Sequence, residues 1–156
     1  MRFAQKSSVQ QLLTQENRET ILNAIQEAER KTSGEIRVHI ESTLQGASPL
    51  DAAVEKFDEL GMQETALRNG VLIYVALDDR QFAIIGDQGI HEKVGQGFWD
   101  DEKDRMTTYF TQGDIIGGIV FAIEQVGDKL TEFFPYQHDD VNELSDEISV
   151  GEDEQP

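Results

Sequence analysis

Residues 71–77 (VLIYVAL) restrict the possible folds of this chain more than any other segment. An unbroken apolar run of this length, rich in β-branched side chains, has the size of a single strand. A strand that is apolar on both faces has to be covered on both faces. The sequence therefore predicts an inner strand of a sheet that carries helices on either side.

Periodicity predicts the neighbouring elements. Residues 36–40 alternate apolar and polar side chains, which is the period of a strand with one apolar face. Residues 81–86 (QFAIIG) follow a polar turn at 78–80, so they predict a hairpin with residues 71–77. Helical spacing and capping residues predict helices over 17–32, 49–60, 89–94 and 100–110, and a long one that begins after Asp114 and ends before Phe133.

The order of these elements defines a fold class. The succession of strand, helix and strand is a crossover unit, and its right-handed form makes the strands at 36–40 and 71–77 parallel. The hairpin then gives the strand at 81–86 the opposite direction. The sequence thus predicts an α/β fold, a three-layer α/β/α sandwich whose small mixed sheet has helices on both faces. We assign residues 1–136 to this domain.

The charge of the chain narrows its possible partners. Asp and Glu number 31 against 13 Lys and Arg, which gives a formal net charge of −18. Such an excess of acid repels nucleic acid and anionic membranes, and leaves cations and basic proteins as partners. Residues 137–156 hold eight of the acids, no Lys or Arg and few large apolar groups, so we expect a disordered acidic tail there.

The sequence also limits the chemistry and the location of the protein. The absence of cysteine excludes disulfides, thiolate metal sites and a thiol nucleophile. The first residues contain no apolar run typical of a signal peptide, and no segment reaches the ~20 apolar residues of a membrane span. We therefore expect a soluble, cytoplasmic monomer.

The predicted topology gathers acidic residues from separate loops at one end of the sheet. Glu35 opens the first strand, and Asp87 follows the third. The position of Asp114 relative to that end is left open by the sequence. Carboxylates brought together repel one another, and a hard cation with oxygen ligands compensates that repulsion. These three residues are therefore candidate ligands of a divalent cation, either Ca²⁺ or Mg²⁺.

Each candidate also has a purely structural interpretation. Asp87 and Asp114 each precede a helix and suit its N-cap, a role worth ~1 kcal/mol per helix. Glu35 suits a charge at a strand end that faces water. At the opposite end of the sheet, Asp78 and Asp79 form a competing acidic pair whose simplest role is the turn itself.

Two histidines have to be placed as well. His39 lies on the polar face of its strand, which is typical of a solvated or ion-paired histidine. His91 follows Asp87 at the acidic end, where it is either a helix-surface residue or part of the site.

Short motifs occur in a specific order along the chain. They are TSGEI at 32–36, RNGVL at 68–72, DR at 79–80 leading into IIG at 84–86, and QGD at 112–114 with glycines just after. In their order and spacing, these motifs resemble the TPM domain family, named for proteins of the plant thylakoid lumen and widespread in bacteria. The resemblance covers residues 17–134.

The resemblance implies both a fold and a site. It implies an α/β/α sandwich, an acidic divalent-cation site usually described with calcium, and the acid phosphatase activity attributed to some plant members. The matched functional positions are Glu35, Asp114 and the pair Arg68 and Asn69. The family commonly has glutamate after a glycine and a large apolar residue, whereas His91 follows Gly89-Ile90 in this chain. The ligand at that position is therefore His91, Glu92 or Asp87.

Two functions follow as hypotheses. In the first, the domain is a metal-dependent phosphomonoesterase in which Arg68 counters the charge of a phosphate ester and Asp87 is the nucleophile or base. In the second, the domain is a non-catalytic binding module. Its ion stabilises the loops, and its acidic surface meets a basic protein.

Overall fold

The computed structural model describes residues 6–137 and 148–151. Six helices and four strands lie within these residues, and a short 3₁₀ turn lies at Met62–Glu64. The elements are α1 (Ser8–Leu12), α2 (Gln15–Glu29), β1 (Glu35–Glu41), α3 (Pro49–Glu59), β2 (Gly70–Ala76), β3 (Gln81–Gly86), α4 (Gln88–Val94), α5 (Gln96–Thr111), α6 (Ile115–Phe133) and β4 (Ser149–Val150).

The strands form one mixed sheet in the order β3-β2-β1-β4. β1 and β2 are parallel, with Glu35 opposite Gly70, and β2 and β3 are antiparallel, with Val71 opposite Gly86. Every residue of β2 is buried, as expected for a strand that is covered on both faces. The predicted crossover, hairpin and inner strand are therefore confirmed.

Helices cover both faces of this sheet. On one face, α1, α2, α4, α5 and α6 pack against β-strand side chains such as Val38 and Ile73. On the other face, α3 and the 3₁₀ turn bury Leu72 and Tyr74. The predicted three-layer α/β/α sandwich is confirmed.

Local capping explains where the helices begin and end. Ser48 accepts a hydrogen bond from the Asp51 amide at the start of α3, and Pro49 occupies the first helical position. α2 ends at Glu29, before the predicted end at residue 32, because the Ser33 amide donates to the Phe134 carbonyl oxygen at 3.0 Å rather than to a carbonyl of the helix. α1 is not predicted from the sequence, because a helix of five residues is too short to show a repeating pattern of apolar side chains.

The disorder predicted for residues 137–156 is wrong at residues 148–151. Ser149 and Val150 form β4, which runs parallel to β1 beside His39 and Ile40, and Ile148 is buried in the core. The prediction rests on the acidic composition of the whole segment and overlooks Ile148 and Val150, two apolar side chains that can be buried at an open edge of the sheet. The sheet thus extends beyond residue 136, while positions 138–147 and 152–156 of the predicted tail lie outside the described residues.

Candidate functional site at the start of β1 and β2

Three backbone positions lie in a row across the end of the sheet where β1 and β2 begin. Glu35 is opposite Gly70 on the neighbouring strand, and the Gly70 carbonyl oxygen accepts a hydrogen bond of 2.8 Å from the Asp87 amide. Met62 packs against Gly70. Glu35 and Asp87 therefore lie at the same end of the sheet, on either side of Gly70 in the backbone pairing.

Asp87 is held by an ion pair and by a helix cap. The Arg68 guanidinium donates from Nε to Oδ2 at 2.7 Å and from its terminal nitrogen to Oδ1 at 2.8 Å. Oδ1 also accepts from the Gln88 amide at 2.7 Å, since Asp87 is the N-cap of α4. The hydrogen bonds and the negative charge of Asp87 raise the pKa of Arg68. Both carboxylate oxygens of Asp87 are thus engaged by the chain itself.

The backbone of the loop before β2 sets up this pair. Arg68 has φ of 51°, in the left-handed region that few residues other than glycine and asparagine adopt. Its carbonyl oxygen accepts from the Gly89 amide at 2.7 Å. A Cβ atom on Gly89 would lie only 2.1 Å from the Leu67 carbonyl oxygen, so glycine is required for this approach. Gly89, which stands at the position of the family's glycine, therefore allows α4 to pack closely against the loop that carries Arg68.

Asn69 and Glu35 are buried residues at the start of the two parallel strands, and a backbone hydrogen bond joins them. The Glu35 amide donates to the Asn69 carbonyl oxygen at 3.4 Å, and only 3% of Glu35 and 1% of Asn69 are exposed. The Asn69 side-chain nitrogen donates to the Ser33 hydroxyl oxygen at 3.4 Å, whereas its Oδ1 has no hydrogen-bond partner among the described residues. The interpretation of Glu35 as a charge facing water is therefore wrong.

His91 contacts Trp99 instead of the acidic residues. The Trp99 indole Nε1 donates to His91 Nδ1 at 2.9 Å. A neutral imidazole whose Nδ1 accepts carries its proton on Nε2. In this arrangement neither ring nitrogen offers a lone pair to a metal ion, so His91 anchors the indole of the buried Trp99.

Asp114 lies far from the other candidates. It is the N-cap of α6, where its Oδ1 accepts from the Gly117 amide at 2.9 Å. The other end of α6 reaches the start of β1, since Leu130 packs against Gly34. Between Asp114 and Leu130 a helix rises by about 24 Å. The structure therefore separates Asp114 from Glu35, Asn69 and Asp87.

The predicted ligands Glu35, Asn69, Asp87, His91 and Asp114 are not brought together in one cluster. In residues 6–137 and 148–151, no group of three or more His, Cys, Asp or Glu side chains is placed to hold a metal ion. At the end of the sheet where β1 and β2 begin, the Asn69 side-chain oxygen and the acidic residue Glu35 are of the ligand types that a hard divalent cation takes.

The opposite end of the sheet carries a polar network that sequence analysis did not identify. His39 is fully buried, stacks on Tyr74 with ring centroids 5.3 Å apart, and has its Nδ1 2.8 Å from the Ser149 hydroxyl oxygen. Its Nε2 is 3.1 Å from Glu41 Oε1, and the Tyr74 hydroxyl donates to the same carboxylate. Burial lowers the pKa of His39 despite the opposing effect of Glu41. The alternation of β1 places residues 39 and 41 on one face, but only the register identifies Tyr74.

The competing acidic pair has the role expected of a turn. Asp79 Oδ2 accepts from the Leu44 amide at 2.5 Å, and Asp78 Oδ1 accepts from the Ser8 hydroxyl at 2.6 Å. Both carboxylates hold neighbouring segments to the hairpin turn.

The fold and these motifs together define a family. The family model described as the TPM domain matches residues 8–129, so this chain belongs to the TPM domain family. None of its helices within residues 6–137 and 148–151 combines the length and apolarity needed to cross a membrane.

Solved structures of similar chains support the same assignment. The chain is similar to the BA42 protein of the psychrophilic bacterium Bizionia argentinensis, solved by NMR, with 45% identity and a TM-score of 0.82 over 89% of this chain and 95% of that one. The N-terminal domain of cg2496 from Corynebacterium glutamicum is 19% identical, with a TM-score of 0.62 over 83% of both chains. An N-terminal domain from P. gingivalis is 21% identical, with a TM-score of 0.66 over 81% of this chain and 83% of that one. These last two show a shared fold alone, and no curated protein matches the chain.

Proposed function

We propose that this TPM domain binds a divalent cation at the start of β1 and β2, with Ca²⁺ as the first candidate and Mg²⁺ as the second. The observation that carries the proposal is the Oδ1 atom of Asn69, which is buried without a partner among the described residues. Buried polar atoms normally have a hydrogen bond or an ion. Amide and carboxylate oxygens are ligands that both cations take. In this proposal the negative charge comes from Glu35, whose amide donates to the Asn69 carbonyl oxygen.

The role of Asp87 in this proposal is conditional. Its carboxylate faces a guanidinium at 2.7 Å, so it joins the ligands only when Arg68 moves away. We leave His91 and Asp114 out of the proposed site. The first accepts a hydrogen bond from Trp99, and the second is separated from Glu35 by most of the length of α6.

Thermal unfolding with and without Ca²⁺ tests the proposal. A cation that binds only the folded chain stabilises it by about 2.7 kcal/mol at a hundred times its Kd. We expect the melting temperature of the parent chain to rise with Ca²⁺, and the rise to shrink in Glu35→Gln and Asn69→Leu. Asp114→Asn is the matched control, because it removes one carboxylate at the far end of α6 and keeps a capping side chain. The proposal fails if the parent shows no rise, or if all four proteins show the same rise.

Amide chemical shifts during a Ca²⁺ titration locate the ion independently of stability. We expect changes centred on Glu35 and Asn69. Changes centred on Asp78 and Asp79 would move the site to the hairpin turn, where both carboxylates already accept hydrogen bonds.

Metal-dependent phosphomonoesterase activity is the catalytic form of the proposal. The observation that favours it is the half-exposed Arg68, which offers a guanidinium to a phosphate ester beside the carboxylate of Asp87. However, both oxygens of Asp87 accept hydrogen bonds, so the ion pair has to open before Asp87 acts as nucleophile or base. The non-catalytic binding module requires no such opening, and we favour it.

A phosphomonoester assay on the same samples separates the two forms. A chain with a net charge of −18 repels a phosphate dianion unless a cation compensates it, so hydrolysis of p-nitrophenyl phosphate has to stop in EDTA. Hydrolysis that depends on Ca²⁺ and is lost in Asp87→Asn would establish the enzyme. A shifted melt without hydrolysis would establish the module.

A further inference from the structure

A groove with a volume of about 420 Å³ lies along the second half of β3, where residues 84–86 line it. α3 forms one wall through Leu50 and Val54, and α4 and α5 form the other through His91 and Trp99. The floor is the strand itself, and the groove ends at the ion pair of Arg68 with Asp87. The groove is thus a sheet edge between two helical walls.

The backbone of this edge is available for pairing. Within the described part of the chain, β3 pairs only with β2. The Asp87 amide donates toward β2, and antiparallel alternation therefore turns the N–H and C=O groups of Phe82, Ile84 and Gly86 outward. Proteins commonly protect such an edge with charged residues or proline, but β3 (QFAIIG) contains neither.

The wall formed by α3 exposes apolar side chains above this edge. Leu50 is 56% exposed and Val54, one helical turn later, is 48% exposed. They account for two of the four large exposed apolar residues in the described chain; the others are Leu67 and Tyr136. An exposed apolar pair beside a free strand edge is the arrangement that receives the alternate side chains of an added strand.

Charge decides between the possible occupants. The lining carries the carboxylates of Asp58 and Asp87 against the single guanidinium of Arg68, on a chain with a net charge of −18. A second copy of this chain would bring the same excess of negative charge to the groove. A basic segment would be attracted to it.

We propose that the edge of β3 binds an extended peptide segment of a partner protein, with alternating apolar and basic side chains, as a further strand of the sheet. Its backbone pairs with the outward groups of β3, and its apolar side chains lie against Leu50 and Val54. This inference rests on the binding-module form of the proposed function and names its partner class. It does not require the cation.

The probe is an acetylated and amidated peptide of eight residues that alternates valine and lysine, titrated into the isotope-labelled chain. We expect amide shifts at residues 82–86 and at Leu50 and Val54, and weaker binding at higher salt. Val54→Lys places a positive charge in the groove and should weaken binding by about tenfold or more. Leu67→Lys is the matched control, because it adds the same charge at a leucine that is 53% exposed outside the groove, and we expect little change.

Several outcomes would overturn the inference. They are the absence of shifts at β3 at millimolar peptide, equal binding of a peptide with glutamate in place of lysine, and an equal loss of affinity in both lysine variants. Sedimentation that shows a dimer, with β3 amides protected from exchange, would assign the edge to a second copy. Because the Ca²⁺ melts are measured without peptide, failure of the cation proposal remains distinct from failure of this one.

Discussion

Glu102 is a carboxylic acid buried in the helix layer to which α5 belongs. It lies on the same stripe of α5 as the buried residues Trp99 and Met106. Only 1% of Glu102 is exposed, and its Oε2 has no hydrogen-bond partner among the described residues. Burial, opposed by the charge of Arg105 and aided by that of Asp101, raises the pKa of Glu102 from 4.5 to about 7. Its ionisation near neutral pH therefore destabilises the folded state.

The sign and size of the effect follow from these two pKa values. Because the folded chain binds the proton more tightly, the stability due to protonated Glu102 is fully present below pH 4.5 and is lost as the pH rises to about 7. Each pH unit in that window costs about 1.4 kcal/mol of unfolding free energy, so the total loss is about 3.4 kcal/mol. Above that window both states are ionised and the loss stays constant.

Glu102→Gln removes this titration while keeping the size of the side chain. Urea unfolding should show that the free energy of unfolding of the variant, relative to that of the parent chain, rises by about 2.5 kcal/mol from about pH 5 to about pH 8. Comparing each protein with the parent at the same pH cancels the other titrating groups. Glu124→Gln on the exposed face of α6 is the matched control and should show no such gain. Parallel pH profiles for the parent and Glu102→Gln would refute the reasoning.

Three further predictions address other parts of the chain. Arg68→Asn, at a left-handed position that asparagine tolerates, should free Asp87 and tighten Ca²⁺ binding in calorimetry by about fivefold or more; weaker binding would contradict the competition. Gly89→Ala should lower the free energy of urea unfolding by about 1–3 kcal/mol, because its Cβ would meet a carbonyl oxygen at 2.1 Å. Gly97→Ala on α5 is the control, since its Cβ would meet nothing within 4 Å, and it should be neutral or slightly stabilising. Ile148→Ala should cost about 2 kcal/mol if β4 is docked as described, and a cost near zero would show that it is not.

The parts of the fold that could be predicted are those in which neighbouring residues repeat a pattern. The unbroken run of β2 and the alternation of β1 identify the inner strand and its partner, and handedness then determines that they are parallel. β4 could not be found in this way. Two residues in an acidic segment have no period, and their pairing with β1 depends on a contact across more than a hundred residues.

The candidate site was harder to predict, because the same spacing suits a cap and a ligand. Asp87 and Asp114 both precede helices, and both prove to be N-caps. What separates them is tertiary structure. Arg68, in a left-handed backbone conformation, pairs its guanidinium with Asp87. The C-terminal end of α6 packs against the start of β1, so Asp114 at the N-terminal end of the helix lies far from β1.

The net charge of the chain is weak evidence for a cation, because several of its carboxylates are compensated by the chain itself. Asp87 has the guanidinium of Arg68, and Glu41 has the hydroxyl of Tyr74. Glu102 is protonated below about pH 7. Asn69 is different, since its buried oxygen bears no charge to titrate and has no partner among the described residues. The cation proposal therefore depends on Asn69, and Asn69→Leu tests it more directly than a substitution of Asp87, which would also break an ion pair and a helix cap.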